Sequence, residues 1–203
     1  MQNGATPPPL PDLDWKAAFR KRAKAARAEA AAADGGSAAM KAAHHFIEDF
    51  IPQTPLRIAL YCPVGDELDT AYLNADLLAA GHEVLLPVAV EENAPLIFRQ
   101  FRMDTPLIKG RYGIPIPPES APEAAPEIIA VPVLGVRRDG ARLGMGGGYY
   151  DRTLMKLRAE GEVLAIGFGY AAQKMERFPV MPHDEFLDGY VSEDGAERFE
   201  RRR

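Results

Sequence analysis

The sequence predicts an α/β fold: a three-layer, open, mixed and mostly parallel sheet with helices on both faces, preceded by two N-terminal helices. Three observations carry this expectation. Short apolar runs at 57–61, 83–88, 128–134 and 163–169 are bounded by turn residues, as buried strands are. Helical stretches alternate with them, each closed by glycine or proline. A stretch with four glycines in five residues, Gly144-Met145-Gly146-Gly147-Gly148, separates the third run from a helix.

The elements follow in order. Residues 1–12, with Pro7-Pro8-Pro9 and Pro11, have little to bury and are expected to form a disordered tail. Asp14 is placed to cap a helix over 15–33, favoured by its alanines and stopped by Gly35-Gly36. Its Trp15, Ala18, Phe19 and Ala26 share an inward face. Lys16, Arg20, Lys24 and Arg27 form a basic stripe, which is either a solvated face or an anion site. Ser37 is placed to cap a second helix over 38–50, ended by Pro52. Its adjacent His44 and His45 point apart and cannot share a metal.

Strand 57–61, loop 62–69, helix 70–80 and strand 83–88 make a βαβ unit with parallel strands. The loop therefore lies at the carboxyl end of a strand, where open α/β sheets bind ligands. Its Asp66, Glu67 and Asp69 either serve a ligand or favour the dipole of the following helix. Residues 96–101 make a further strand at a sheet edge. The proline-rich 107–126 is a linker or a binding loop with Tyr112 at its tip. After strand 128–134 and the glycine loop, a helix spans Tyr149 to Glu160 and stops at Gly161. Residues 163–169 form a central strand, one last short strand lies near 188–191, and 196–203 are expected to fray. The chain is thus read as a single domain over 13–195.

Composition removes several classes of function. The formal charge of −5 argues against general nucleic-acid affinity. The one cysteine, Cys62, forms no intrachain disulfide and no cysteine-rich zinc site. No apolar run approaches the roughly 20 residues that span a bilayer. A cytoplasmic monomer, without nucleic-acid or membrane partners, is expected.

The chemistry concentrates at Arg142 to Asp151. Glycines surrender side-chain burial, but their backbone N–H groups can converge on an anion without Cβ interference. A helix N-terminus directly after them adds partial positive charge. The pattern is neither G-x-G-x-x-G nor the P-loop, and a plain surface turn is the competing reading. Arg142 brings a fork suited to phosphate oxygens, and Asp151 could ligate Mg²⁺ bridging them. Asp188 is a second carboxylate candidate. These parts suit phosphoryl transfer, with no Ser-His-Asp or Cys-His set to suggest covalent catalysis.

Arg142-Leu143-Gly144-Met145-Gly146-Gly147-Gly148-Tyr149-Tyr150-Asp151 resembles the signature Arg-Leu-Gly-x-Gly-x-Gly-Tyr-Tyr-Asp of the 5-formyltetrahydrofolate cyclo-ligase (methenyltetrahydrofolate synthetase) family. Lys16-x-x-x-Arg20, Asp66 to Thr70, Phe168 to Gln173 and Pro182-His183-Asp184 to Asp188 are similar to other family segments, so the resemblance covers about 15–193. It implies a soluble, ATP-dependent ligase of one-carbon metabolism. Such an enzyme phosphorylates the formyl oxygen of 5-formyltetrahydrofolate and closes the ring to 5,10-methenyltetrahydrofolate.

Carried onto this sequence, the resemblance implies that Lys16 and Arg20 reach the ATP phosphates. It further implies that Arg142, Leu143, Gly144, Met145, Gly146, Gly147, Gly148, Tyr149 and Tyr150 hold the nucleotide. Met145, Gly148 and Tyr149 would also lie near the folate. Glu67 would hydrogen-bond the pterin, Cys62 would line its pocket and Tyr112 would stack on the folate. Arg142 and Asp151 would be catalytic, with Asp151 and Asp188 holding Mg²⁺. Gly147, where animal members carry lysine, implies a bacterial type. Met145, Ile116 and Arg137 depart from common family residues. A non-catalytic binding module on the same fold and an unrelated kinase are the alternatives, and turnover of 5-formyltetrahydrofolate separates all three.

Overall fold

The computed structural model describes residues 14–200, and side chains from Lys16 onward. The expected tail at 1–12 lies outside the described residues. The chain opens with α1 (Asp14–Ala33) and α2 (Ala38–Phe50). Helix α1 already includes Asp14, so this residue is not the flanking cap expected of it. The second helix is also capped differently. Asp34 Oδ1 accepts from the Ser37 and Ala38 amides at 3.0 and 2.9 Å, while the Ser37 side chain makes no capping bond.

The α/β body then runs β1 (Arg57–Ala59), α3 (Ala71–Ala79), β2 (Glu83–Val88) and β3 (Ile97–Phe101). Next come two-residue strands β4 (Ile108–Lys109) and β5 (Pro115–Ile116), which flank a 3₁₀ turn at Arg111–Gly113. They are followed by β6 (Ile128–Pro132), β7 (Gly135–Val136), β8 (Arg142–Leu143), α4 (Tyr149–Glu160), β9 (Leu164–Phe168), β10 (Gly189–Ser192) and β11 (Gly195–Arg198). Seven strands form the main sheet in the order β11-β10-β9-β6-β1-β2-β3. The five inner strands are parallel, and antiparallel β3 and β11 close the two edges. This is a mixed, mostly parallel α/β sheet with four α-helices among the described residues.

Strand alternation sorts the apolar residues into two clusters. Ile58, Leu60, Ile128, Ala130 and Ile166 pack with Phe46 and Phe50 of α2 and Leu73 and Leu77 of α3. Ala59, Leu85, Ile129, Val131 and Ala165 pack with Leu154 of α4. Both clusters are almost fully buried, so the strand ends are rigid platforms for their loops.

Two departures from the expected elements matter. The glycine loop does not follow its strand directly: the antiparallel β7–β8 pair lies between β6 and the loop. Its turn is held by Arg137 and Asp139 and by Gly140 at φ +84°. At the other end, β11 takes in 196–198, the start of the stretch expected to fray, because its backbone pairs with β10 over Gly189–Arg198 to Ser192–Gly195. Among the described residues no helix is long and apolar enough to cross a membrane.

Candidate active site

A cavity of about 950 Å³ opens at the carboxyl ends of β1, β2 and β6. Sheet order explains its place. From β1 the chain moves to β2 on one side, whereas β6 leads to β9 on the other. The β1/β6 boundary is therefore a topological switch point, where the loops after neighbouring strands diverge and leave a crevice.

One wall is the loop after β1. Tyr61 and Thr70 close it at its base: the Thr70 hydroxyl donates to Tyr61 O at 2.9 Å, and the Tyr61 hydroxyl donates to Leu68 O at 2.8 Å. Glu67 is held at its rim. Its Oε2 accepts from the Val64 amide at 2.9 Å, and its Oε1 faces Arg27 Nη1 at 3.4 Å. Burial pushes the Glu67 carboxyl above the ordinary value of 4.5, opposed by the Val64 amide and by Arg27. Burial alone raises the half-buried Cys62 thiol, which disfavours the thiolate and any nucleophilic role for it.

The glycine loop forms the opposite wall, and guanidinium groups clasp its carbonyls. Arg20 Nε of α1 donates to Gly144 O at 3.0 Å, and Arg152 Nη2 donates to Gly147 O at 2.6 Å. Glycine is required at two points. Gly146 has φ +104°, and a Cβ there would sit 3.2 Å from Arg20 Cζ. Gly148 has φ +65°, and a Cβ would meet Arg152 Nη1 at 2.6 Å. Gly148 also immediately precedes α4, so the loop delivers its backbone to a helix N-terminus. Leu143 lies buried below the loop, while Met145 is exposed at the cavity rim.

Two tyrosines bridge the mouth. Tyr112, in the left-handed region at φ +59°, brings its hydroxyl within 3.1 Å of that of Tyr149, and the rings meet edge to face. The Arg152 guanidinium lies 5.3 Å from the Tyr149 ring centroid. Tyr150 points inward, and burial, reinforced by Glu67, pushes its phenol far above the ordinary value of 10.0. It stays a neutral donor at any working pH.

Arg142 is buried behind the glycine loop. Its Nη2 meets Asp151 Oδ1 at 2.6 Å, and its Nη1 donates to Glu185 O. The Glu185 amide donates to the same Asp151 oxygen at 3.0 Å. Part of the fork expected to reach phosphate is thus committed to aligning Asp151. Asp188, expected beside Asp151 as a Mg²⁺ ligand, is engaged by Arg158 and the Ala165 amide. It is 7% exposed, does not line the cavity, and its Oδ2 accepts from Arg158 Nη2 at 2.9 Å and the Ala165 amide at 2.8 Å. Asp188 ties α4 to β9.

Lys16 and Arg20 both line the cavity, while Lys24 of the same stripe is exposed to solvent. Arg27 is not a solvated member of that stripe: it is 6% exposed and lines the cavity beside Glu67. The structure also brings Asp184 to the cavity, a residue outside the set that the sequence predicts. Lys16 Nζ lies 3.3 Å from Asp184 Oδ2, which also accepts from the Met181 amide at 2.7 Å. Its only sequence signal was its position in the Pro182-His183-Asp184 segment.

This donor set fits Mg²⁺. Asp151 lines the cavity with Oδ1 taken by Arg142 and Glu185, and among the described residues no hydrogen bond reaches its Oδ2. Among the described residues no group of three or more His, Cys, Asp or Glu could enclose a metal. Mg²⁺ requires no such cage, since it takes one or two carboxylates together with substrate phosphates and waters.

With this geometry in hand, residues 12–193 match the model of the 5-formyltetrahydrofolate cyclo-ligase family. The chain is 38% identical over 137 residues to a protein of Mycolicibacterium smegmatis named 5-formyltetrahydrofolate cyclo-ligase, covering 63% of this chain and 68% of that one. A protein of the same name from Escherichia coli is 31% identical over 140 residues, covering 66% and 76%. The NMR structure of the Aquifex aeolicus 5,10-methenyltetrahydrofolate synthetase superposes with a TM-score of 0.75 at 25% identity, covering 93% of this chain and 94% of that one. A 5,10-methenyltetrahydrofolate synthetase from Mycoplasma pneumoniae, at 23% identity and TM-score 0.69, shares the fold.

Proposed function

The chain belongs to the 5-formyltetrahydrofolate cyclo-ligase family, and from that premise we propose how the cavity described above performs the ligase reaction. The protein converts 5-formyltetrahydrofolate to 5,10-methenyltetrahydrofolate with ATP. The observation that carries the residue assignments is the pairing of two unlike walls: a partly buried carboxylate, Glu67, faces a glycine loop attended by Lys16 and Arg20. The first suits the N–H donors of a pterin, and the second suits a triphosphate.

Glu67 accepts hydrogen bonds from the pterin ring. Cys62 and Tyr150 line the ring's pocket, and Tyr112 stacks on the folate at the mouth. Residues 142–150 lie along the nucleotide, with Met145, Gly148 and Tyr149 also touching the folate. Lys16 and Arg20 neutralise the phosphates from the side of α1. Asp151, aligned by Arg142, would hold Mg²⁺, which when bound neutralises charge on the phosphate oxygens.

The reaction then balances simply. The formyl oxygen attacks the γ-phosphorus, the bond to the bridging oxygen of ADP breaks, and the activated carbon carries a phosphate leaving group. The nearby amine of the same folate attacks that carbon, loses its proton, and expels inorganic phosphate as the ring closes. The protein's part is positioning and charge neutralisation, which dominate phosphoryl transfer. The test is direct. Protein, MgATP and 5-formyltetrahydrofolate should yield the near-ultraviolet absorbance of the methenyl product, strictly with ATP. No product, or product without ATP, would refute the reading.

A further inference from the structure

By spacing Arg27 belongs to the basic stripe of α1, but it is buried where Lys24 is exposed. Its guanidinium lies over the loop after β1, with Nη1 3.4 Å from Glu67 Oε1 and Nε 3.7 Å from Asp66 Oδ2. Among the described residues Nε has no hydrogen-bond partner despite its burial. Glu67 is thereby held through both oxygens: Arg27 faces Oε1 and the Val64 amide faces Oε2. The phosphate chemistry above does not use Arg27.

We propose that Arg27 is a positioning residue for the folate half of the site, fixing the orientation and negative charge of the Glu67 carboxylate that meets the pterin. The proposal rests on the reading of Glu67 as the pterin acceptor. A purely structural role explains the pair less well. A buried ion pair adds little stability over an apolar replacement of similar volume, so an arginine held against an acidic loop at a cavity wall calls for another reason.

Charge makes the same point. The groups that face Glu67 are Arg27 from α1, Asp66 from its own loop, Tyr61 from the end of β1 and Tyr150 from α4. Arg27 is the cation of that set. Burial pushes the Glu67 carboxyl up, and Arg27 opposes the push. Without Arg27 the carboxyl rises further, so protonation would disarm it at a higher pH.

The test is a set of substitutions read by initial rates against each substrate. Arg27→Met should lower kcat/KM for 5-formyltetrahydrofolate about tenfold or more, the scale of a lost charge-assisted hydrogen bond, and leave the KM for ATP unchanged. The acid limb of kcat/KM for folate should move to higher pH. Arg27→Lys, which keeps the charge, should restore the position of that limb and part of the rate. Adding Arg27→Met to Glu67→Gln should cost little more than Glu67→Gln alone, because the arginine acts through the carboxylate. Additive losses, an unmoved acid limb, or an equal rise in the KM for ATP would overturn the proposal. Should Arg27→Met not fold, Arg27→Lys decides: a raised folate KM with normal ATP KM supports the proposal, and unchanged folate kinetics overturn it. Wild-type protein inactive on 5-formyltetrahydrofolate would instead overturn the assignment of the cavity itself.

Discussion

Arg20 offers the sharpest division between a binding residue and a solvated charge. In the structure its Nε donates to Gly144 O at 3.0 Å, and its guanidinium lies against Gly146, close enough that a Cβ there would approach Cζ to 3.2 Å. Arg20→Ala removes both a charge-assisted hydrogen bond that shapes the loop and a cation beside the triphosphate. A hydrogen bond to a charged group is worth about 1.5–3 kcal/mol, which corresponds to a loss of roughly 10- to 150-fold in kcat/KM for ATP. Lys24→Ala, one turn further along α1 and exposed, removes the same charge without touching the loop and should change ATP kinetics less than about twofold. Lys16→Ala should resemble Arg20→Ala in direction, since Lys16 lines the same cavity beside Asp184. The assay is initial rate against ATP at saturating folate, with melting curves to separate binding from helix loss. Equal, small effects of all three substitutions on the KM for ATP would refute the reasoning and leave the stripe a solvated face.

Other substitutions test the remaining parts. Asp151→Asn should cripple turnover at limiting Mg²⁺, whereas Asp188→Ala should leave the Mg²⁺ dependence alone and lower stability by about 1–3 kcal/mol, since it strips the buried Ala165 amide of its acceptor; titrations of rate against Mg²⁺ and melting curves distinguish them. Glu67→Gln should raise the folate KM far more than the ATP KM. The pH dependence follows with a definite sign: the raised Glu67 carboxyl is competent when ionised, so kcat/KM for folate should fall as pH drops through a value above the ordinary 4.5, and that limb should vanish in Glu67→Gln. Gly148→Ala should lower stability by about 1–2 kcal/mol through its left-handed backbone, seen as a fall in Tm, and should raise the KM for ATP by displacing Arg152 from Gly147 O.

Much of this organisation was legible before the structure. Apolar runs bounded by turn residues located the strands, and the βαβ pattern put the Glu67 loop at a strand's carboxyl end, where the cavity lies. What failed at the site depended on contacts distant in sequence. Helical spacing places Arg27 in a basic stripe, but only the packing of α1 on the loop after β1 makes it a buried partner of Glu67. Asp184 and Asp188 are four residues apart and chemically alike. The chain direction between them, anchored by Arg158, turns the first to the cavity and the second to the core. At α2, Asp34 and Ser37 both have capping chemistry, and local geometry selects Asp34. Polar-looking Gly195–Arg198 carries no strand signal because β11 is an edge, paired on one side with β10.

In the proposed reaction a single cavity activates the formyl oxygen by phosphorylation before ring closure. The most direct measurement uses 5-formyltetrahydrofolate labelled with ¹⁸O in the formyl group, turned over with MgATP, and mass spectrometry of the released phosphate. One ¹⁸O in each phosphate formed is the predicted result. Unlabelled phosphate, with the label released to water or kept in the folate product, would contradict it.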